Sequence, residues 1–209
     1  MQRLMSDLML ATGNPGKARE LRDLLALHLD LTGAALLTPR DWPAPLPDVD
    51  ETGATFAENA RLKAEALAAA TGLPALADDS GLCVDALGGA PGLYSARWAG
   101  AGASDADRNT KLLLALADVP PERRTAQFIC AIALALPSGR TVLAEGVCAG
   151  LILDTPCGAD GFGYDPLFLL PAAGRTMAEL TAEEKNRLSH RALAISRLSA
   201  HFSMLSNPP

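Results

Sequence analysis

The sequence predicts an α/β chain built on a mixed, twisted sheet flanked by helices. Three observations carry that expectation. Apolar runs at residues 8–12 and 73–77 read as buried strands next to well-capped helical segments. Residues 125–136 and 141–148 flank Pro137-Ser138-Gly139-Arg140, the pattern of an antiparallel hairpin around a four-residue turn. The chain has 209 residues, of which 49% are hydrophobic. That is enough to fill the core of one large domain, or of two small lobes sharing a cleft.

In chain order, residues 8–12 form a first strand that breaks at Gly13. A helix restarts with Asn14 as N-cap and Pro15 at its first position, and Ala18, Leu21 and Leu25 fall on one face. Residues 39–47 are proline-rich and read as a meandering connection that runs into the acidic Asp48-Val49-Asp50-Glu51. Thr55 and Glu58 form a capping box for a second, alanine-rich helix over residues 56–70, which Gly72 and Pro74 stop. The strand at 73–77 follows. Ser104 opens a third helix that runs to Leu116 and is ended by Pro120-Pro121. After the hairpin comes a glycine-rich loop at 158–163 and a short strand at 166–170. Thr181-Ala182-Glu183-Glu184 then starts the last helical stretch. The whole of residues 1–209 reads as one domain with a frayed tail at 206–209.

The formal charge of −6 means that a phosphate-bearing partner must be met by a few placed cations and a metal, because the overall field repels it. This argues against polymeric nucleic acid as a partner. Cys83, Cys130, Cys148 and Cys157 form no CxxC pair and have no nearby histidine, so reduced core thiols are expected rather than a zinc site. Residues 1–8 hold no apolar stretch of signal-peptide length, and no segment reaches transmembrane length. A soluble, cytoplasmic protein without a membrane partner is the expectation.

Ala77-Asp78-Asp79-Ser80-Gly81-Leu82 delivers two carboxylates from the end of a buried strand. Carboxylate oxygens suit Mg²⁺, which takes one or two of them together with substrate phosphate, so the pair is a candidate phosphoryl-transfer centre. The same residues are also ordinary turn composition. Adjacent strand residues point to opposite faces, so only one of the two aspartates reaches a given ligand unless the strand bends. Thr12-Gly13-Asn14-Pro15-Gly16-Lys17 follows the logic of a phosphate loop, a strand, a glycine turn and a helix N-terminus aimed at an anion. It is not a Walker A motif, because only Asn14 and Pro15 separate Gly13 from Gly16 and Ala18 follows Lys17. A plain capped helix start is the bland alternative.

Phe162-Gly163-Tyr164-Asp165-Pro166 sets an aromatic ring and a carboxylate before a proline that favours an extended Asp165. The ring could stack on a base and the carboxylate could accept a base N–H; otherwise Phe162 and Tyr164 anchor a tight turn. Lys185, His190 and Arg191 would not share a face of one straight helix. If Ser189 caps a second helix, His190 and Arg191 occupy its exposed first turn and all three converge on one ligand. A solvated basic turn is the alternative. A Ser-His-Asp hydrolase is set aside, since no GxSxG elbow is present.

Taken together these motifs, with Glu51-Thr52-Gly53, Phe56 and Glu58-Asn59-Ala60, and with Leu87-Gly88-Gly89-Ala90-Pro91-Gly92 and Tyr94-Ser95-Ala96-Arg97, closely resemble the non-canonical purine NTP pyrophosphatase family. These are the inosine/xanthosine triphosphate pyrophosphatases of the Ham1 or RdgB type. The resemblance runs from about residue 8 to residue 200. It implies an ITPase-like fold with two lobes and a central nucleotide cleft. It also implies a homodimeric enzyme that hydrolyses ITP, dITP and XTP to the monophosphate and pyrophosphate with one or more Mg²⁺ ions. By position, Asp79 corresponds to the proton acceptor and a metal ligand, and Glu51 to a second metal carboxylate. Thr12, Gly13, Asn14, Pro15, Gly16 and Lys17 correspond to the triphosphate loop. Ser80, Phe162, Gly163, Tyr164, Asp165, Lys185, His190 and Arg191 correspond to substrate contacts. The departures are Pro15 at a variable loop position and a proline-rich 39–47 segment, and both bear on loop geometry.

Two readings stand beside this one. A nucleotide-binding sensor would keep the loops but not need Asp79. A Maf-like pyrophosphatase would keep the fold and act on modified pyrimidines.

Overall fold

A computed structural model describes residues 2–206. Residue 206 closes the last helix, and the remainder of the expected frayed tail, 207–209, lies outside the described residues. The strands are β1 (Gln2–Arg3), β2 (Leu8–Leu10), β3 (Leu29–Asp30), β4 (Leu36–Leu37), β5 (Ala75–Val84), β6 (Thr125–Ala135), β7 (Thr141–Ile152), β8 (Phe168–Leu170) and β9 (Arg175–Thr176). The helices are α1 (Pro15–Ala26), α2 (Phe56–Thr71), α3 (Asp105–Ala115), α4 (Ala182–Leu188), α5 (His190–Leu198) and α6 (Ser203–Ser206). β1 and β3 form a small parallel pair, and the other strands hydrogen-bond in the order β4-β2-β5-β6-β7-β8-β9. The larger sheet is mixed, as expected: β2 is parallel to β4 and β5, whereas β8 is antiparallel to β7 and β9.

The described residues divide into two compact units, 2–79, 130–146 and 191–206 in the first, and 80–129 and 147–190 in the second. β5, β6 and β7 each run from one unit into the other, so neither unit is a continuous piece of sequence.

The first unit is organised by side-chain alternation along its strands, which sends successive residues to opposite faces. Leu8, Leu10, Leu76, Ile132 and Leu134 enter one core with Leu21, Leu24 and Leu25 of α1 and Ile195 and Leu198 of α5. Met9, Ala75, Ala77, Ala131, Ala133 and Ala135 enter another with Ala60, Ala64 and Leu67 of α2. Apart from Met9, large side chains therefore line one face of the strands and alanines the other. Both faces are covered, which is why these strands read as continuous apolar runs rather than as polar/apolar alternation. The second unit packs Leu82, Val84, Ile152 and Phe168 with Leu112 of α3 and with Leu116, the residue that caps its C-terminus.

The helix ends follow the sequence closely. The Asn14 side chain accepts from the N–H groups of Gly16 and Lys17. Gly72 closes α2 in the left-handed region at φ 69°, and Ser104 and Thr181 make full capping boxes. Ser189 ends α4 as its C-cap, its N–H donating to the Lys185 carbonyl, and α5 begins at the next residue. The box at Thr55 is only half formed. Its Oγ1 accepts from Glu58 N–H at 3.1 Å, but the Glu58 carboxylate turns to the N–H of Ala54, 2.7 Å away.

Three expectations are corrected. The strand carrying the aspartates does not end at Ala77 but continues to Val84, so the pair lies mid-strand. Asp165 is not extended: residues Asp165–Leu167 form a 3₁₀ turn, with the N–H of Phe162 donating to Asp165 Oδ2 at 2.9 Å and Leu167 N–H to the Tyr164 carbonyl at 3.0 Å. These bonds outweigh the bias imposed by Pro166. Of the thiols, Cys130 and Cys148 are buried, but Cys83 and Cys157 are only half-buried. Among the described residues no helix is long and apolar enough to cross a membrane.

Candidate functional site

The alternation that sorts leucine from alanine continues through the acidic pair. Asp78 follows Leu76 onto the face covered by α1 and α5, and Asp79 follows Ala77 onto the face covered by α2. Two adjacent carboxylates thus receive different surroundings.

Asp78 is 1% exposed. Its Oδ2 lies 3.1 Å from Lys17 Nζ and 3.0 Å from Arg191 Nη2, and Arg191 also pairs with Glu20 of α1. Burial alone would raise the Asp78 pKa, but Lys17, Arg191 and Lys63 together hold it well below the ordinary carboxylate value. Arg191 is shifted the other way: burial lowers it, and Asp78 and Glu20 more than restore it, so it stays a cation. The expectation of an exposed Arg191 is therefore corrected. It is 1% exposed, because two carboxylates neutralise it in place. His190 is buried as well, its ring stacked on Phe128 with centroids 4.8 Å apart and planes 15° from parallel.

Asp79 meets α2. Asn59 Nδ2 donates to Asp79 Oδ2 at 3.1 Å, and Lys63 Nζ lies 3.3 Å from Asp79 Oδ1, 2.7 Å from Glu51 Oε1 and 2.9 Å from the Asp78 carbonyl. Asn59 also accepts from Gly53 N–H at 2.8 Å, which ties the Glu51-Thr52-Gly53 segment to the same point. A Cβ on Gly53 would stand 2.7 Å from Asn59 Oδ1, so only glycine fits there. Burial raises the Asp79 pKa, Lys63 opposes the rise and Glu51 reinforces it; the net shift is upward. Lys63 is pulled down by burial and raised further by Asp79, Asp78 and Glu51, so the ammonium is retained.

The Thr12 to Lys17 loop does not present its helix N-terminus openly. Asn14 Oδ1 takes the N–H groups of Gly16 and Lys17, and Asn14 N–H donates to Thr12 Oγ1. The Lys17 ammonium pairs with Asp78, and a cavity of about 210 Å³ is bordered by Thr12, Gly13, Asn14, Pro15, Arg22, Arg40 and Asp41.

In the second unit, Asp165 Oδ2 accepts from Lys185 Nζ at 2.7 Å, and that ammonium stands 5.1 Å from the centroid of the Phe162 ring. Tyr164 is buried and its hydroxyl donates to the Ser95 carbonyl at 2.9 Å, so it anchors the loop. Gly161 must be glycine, since a Cβ would overlap the Asp165 carboxylate. Ser80 follows Asp79 on β5. Glu184, beside Lys185, serves structure: its hydrogen bond from Arg175, with others from Thr181, holds its pKa down to about 2.

Residues 8–201 match the model of the Ham1 family. The chain belongs to that family. A dITP/XTP pyrophosphatase of Streptomyces coelicolor is 54% identical, over 93% of this chain and 96% of the relative, and one of Geobacillus kaustophilus is 52% identical over 95% of each. Among solved structures, a HAM1 protein from Coxiella burnetii superposes with a TM-score of 0.82 at 42% identity, over 97% of this chain and 99% of that one. A dITP/XTP pyrophosphatase from Mycobacterium abscessus gives 0.73 at 45% identity, over 93% and 98%.

Reading the sequence did not single out Lys63, Glu20, Arg22, Arg40 or Phe128. Lys63 carried a usable signal. It lies four residues after Asn59 on the α2 face that also presents Ala60, Ala64 and Leu67, and a lysine beside an apolar helical stripe requires an anionic partner. The partners of Glu20 and Phe128 are remote in sequence and left no such mark.

In this Ham1-family chain, Asp78→Asn leaves Arg191 and Lys17 without their shared carboxylate. Breaking a buried pair in this way costs about 3–5 kcal/mol, which lowers Tm by about 6–20 °C in a chain of this size. The native Asp78 pKa is depressed, so its contribution is present above the ordinary value of 3.8 and is lost as pH falls through the folded value. Thermal melts from pH 7 to pH 2 should show a steep acid limb in the wild type and a shallower one in the variant.

Proposed function

We propose that this chain hydrolyses the α–β phosphoanhydride bond of non-canonical purine nucleoside triphosphates, ITP, dITP and XTP, to the monophosphate and pyrophosphate. In this reading it works with Mg²⁺ as a cytoplasmic homodimer that cleanses the nucleotide pool. The observation that carries the reading is Asp79, a carboxylate held next to Glu51 by Lys63 and Asn59. Family membership and the names of the relatives support the same reaction class.

The residues fit a hard divalent cation. Glu51 and Asp79 offer carboxylate oxygens and Asp78 a carbonyl, all within reach of one ammonium, so the cluster is already built around positive charge. Mg²⁺ takes one or two carboxylates and completes its shell with water and phosphate, so these oxygens would hold it. When bound, it lowers the charge on the phosphates and the pKa of an attached water.

Asp79 accepts the proton of the water that attacks the α-phosphorus, and the bond to the bridging oxygen of pyrophosphate breaks as the new P–O bond forms. Asp79 is oriented for this by Asn59 and Lys63, which hold its two carboxylate oxygens. Asp78, locked at low pKa, instead keeps Lys17 and Arg191 in place. Lys17, with Arg22 and Arg40 along the neighbouring cavity, faces the departing pyrophosphate. Phe162 stacks on the base, Asp165 accepts from N1–H, and His190 donates to O6. Arg191 is assigned to fixing Asp78 rather than to touching the base, because it is buried between two carboxylates.

Asp79→Asn keeps the volume and removes the base. Steady-state ITP hydrolysis should fall by about 10²- to 10⁴-fold, and a rate within a few-fold of wild type would sink the assignment. Hydrolysis should also stop when EDTA has removed divalent cations, with metal analysis of the same sample as the check, and return when Mg²⁺ is added.

A panel of nucleotides tests base recognition. Adenine places an amino donor where His190 donates and a lone pair where Asp165 seeks a proton. Each unsatisfied buried group costs about 1–3 kcal/mol, so ATP should be disfavoured by about 30- to 10⁴-fold in kcat/KM. GTP shares O6 and N1–H with ITP, so its rejection depends on the 2-amino group. Pyrophosphate release is expected from ITP, dITP and XTP well above ATP and GTP, whereas comparable ATP turnover would overturn the recognition scheme.

A further inference from the structure

Gly163, in the middle of the Phe162–Asp165 segment, has φ +65° and both of its backbone polar groups are held by one helix. Its N–H donates to Asp105 Oδ2 at 2.7 Å, and its carbonyl accepts from Asn109 Nδ2 at 3.0 Å. Asp105 and Asn109 are four residues apart on α3, hence on one face. The next residue is held from another side: Tyr164 donates its hydroxyl to the Ser95 carbonyl, and the Ser95 hydroxyl accepts from Leu82 N–H of β5 at 2.9 Å. α3 secures that segment too, since Arg108 reaches the Ala96 and Ala103 carbonyls and Lys111 the Trp98 carbonyl.

Asn109 is costly where it stands. It is 8% exposed, and its Oδ1 has no hydrogen-bond partner among the described residues. Leu112, three residues on, belongs to the apolar core of the same unit. A leucine at 109 would avoid burying an amide with an unmet oxygen. The interaction that distinguishes asparagine from such a leucine is the bond to the Gly163 carbonyl. Gly163 and Tyr164 are thereby anchored, and the two side chains to which base reading is assigned, Phe162 and Asp165, flank that anchored pair.

We infer that Asn109 and Asp105 are positioning residues that clamp Gly163 and so set the base specificity of the enzyme. The inference rests on the base-reading role given above to Phe162 and Asp165. The two α3 side chains touch no substrate; they fix the backbone from which the ring and the carboxylate project. Loosening the clamp changes where Asp165 and Phe162 meet the base and leaves the residues around Asp79 unaltered.

The test compares wild type with Asn109→Leu, Asn109→Asp and Asp105→Asn. Asn109→Leu removes the donor. Asn109→Asp keeps the volume and turns a carboxylate toward the Gly163 carbonyl, and it serves if the leucine variant does not fold. Asp105→Asn keeps an acceptor for the Gly163 N–H. Both Asn109 variants should raise KM for ITP about tenfold with kcat within about threefold, and narrow the ITP-to-ATP ratio of kcat/KM by about tenfold. Calorimetric binding of IMP should weaken in parallel while binding of pyrophosphate with Mg²⁺ is unchanged. Asp105→Asn loses the carboxylate oxygen that pairs with Arg108, and should move KM and the ratio in the same direction as the Asn109 variants by a smaller factor. A folded Asn109 variant with unchanged KM, ratio and IMP affinity overturns the clamp, as does a fall in kcat alone or equal weakening of IMP and pyrophosphate. Wild type that releases no pyrophosphate from ITP would instead sink the functional reading, a different result from an active enzyme indifferent to Asn109.

Discussion

Everything in the first unit depends on β5 pointing successive side chains to opposite faces. That geometry puts Leu76 and Asp78 toward α1 and α5 and Ala77 and Asp79 toward α2. A one-residue slip would exchange the two aspartates and bring leucines against the alanine-packed helix, so register is specified by packing as well as by hydrogen bonds. The apolar alternation of leucine and alanine is therefore also what assigns each carboxylate its partners.

Once separated, the two carboxylates diverge in proton affinity for the same electrostatic reason. Burial disfavours both anions, and the outcome is decided by how much positive charge stands opposite. Asp78 meets Lys17 and Arg191 directly and is held ionised. Asp79 meets Lys63, but shares that ammonium with Glu51, whose own charge pushes the Asp79 pKa upward. One aspartate becomes a fixed structural anion, and its neighbour retains proton affinity. In a chain of net charge −6 these cations are concentrated against the chain's own carboxylates.

The second unit solves a different problem, holding a glycine-rich loop still. Loops made of Gly161, Phe162 and Gly163 have few side-chain contacts of their own, so order has to come from backbone hydrogen bonds to a rigid element. α3 provides it through Asp105 and Asn109, and its own N-terminus is fixed by the Ser104–Asp107 capping box. The ion pair of Lys185 with Asp165 adds a tie to α4.

Much of this was determined by local sequence. The caps at Asn14, Ser104, Thr181 and Ser189, the stop at Gly72, the hairpin around Pro137-Ser138-Gly139-Arg140 and the opposite orientation of Asp78 and Asp79 all follow from interactions within a few residues, which a sequence displays directly. The extension of β5 beyond Ala77 was hidden, because Asp-Asp-Ser-Gly has turn composition and becomes strand only when charged partners from α1, α2 and α5 make burial of two carboxylates affordable. Tertiary structure alone decided that Lys63 links Glu51 to Asp79, that Arg191 is buried rather than exposed, and that Asn109 reaches Gly163. Each of those pairings joins residues more than ten positions apart, and the energy of a buried charge or amide is set by what folding places opposite it, which local pattern does not encode.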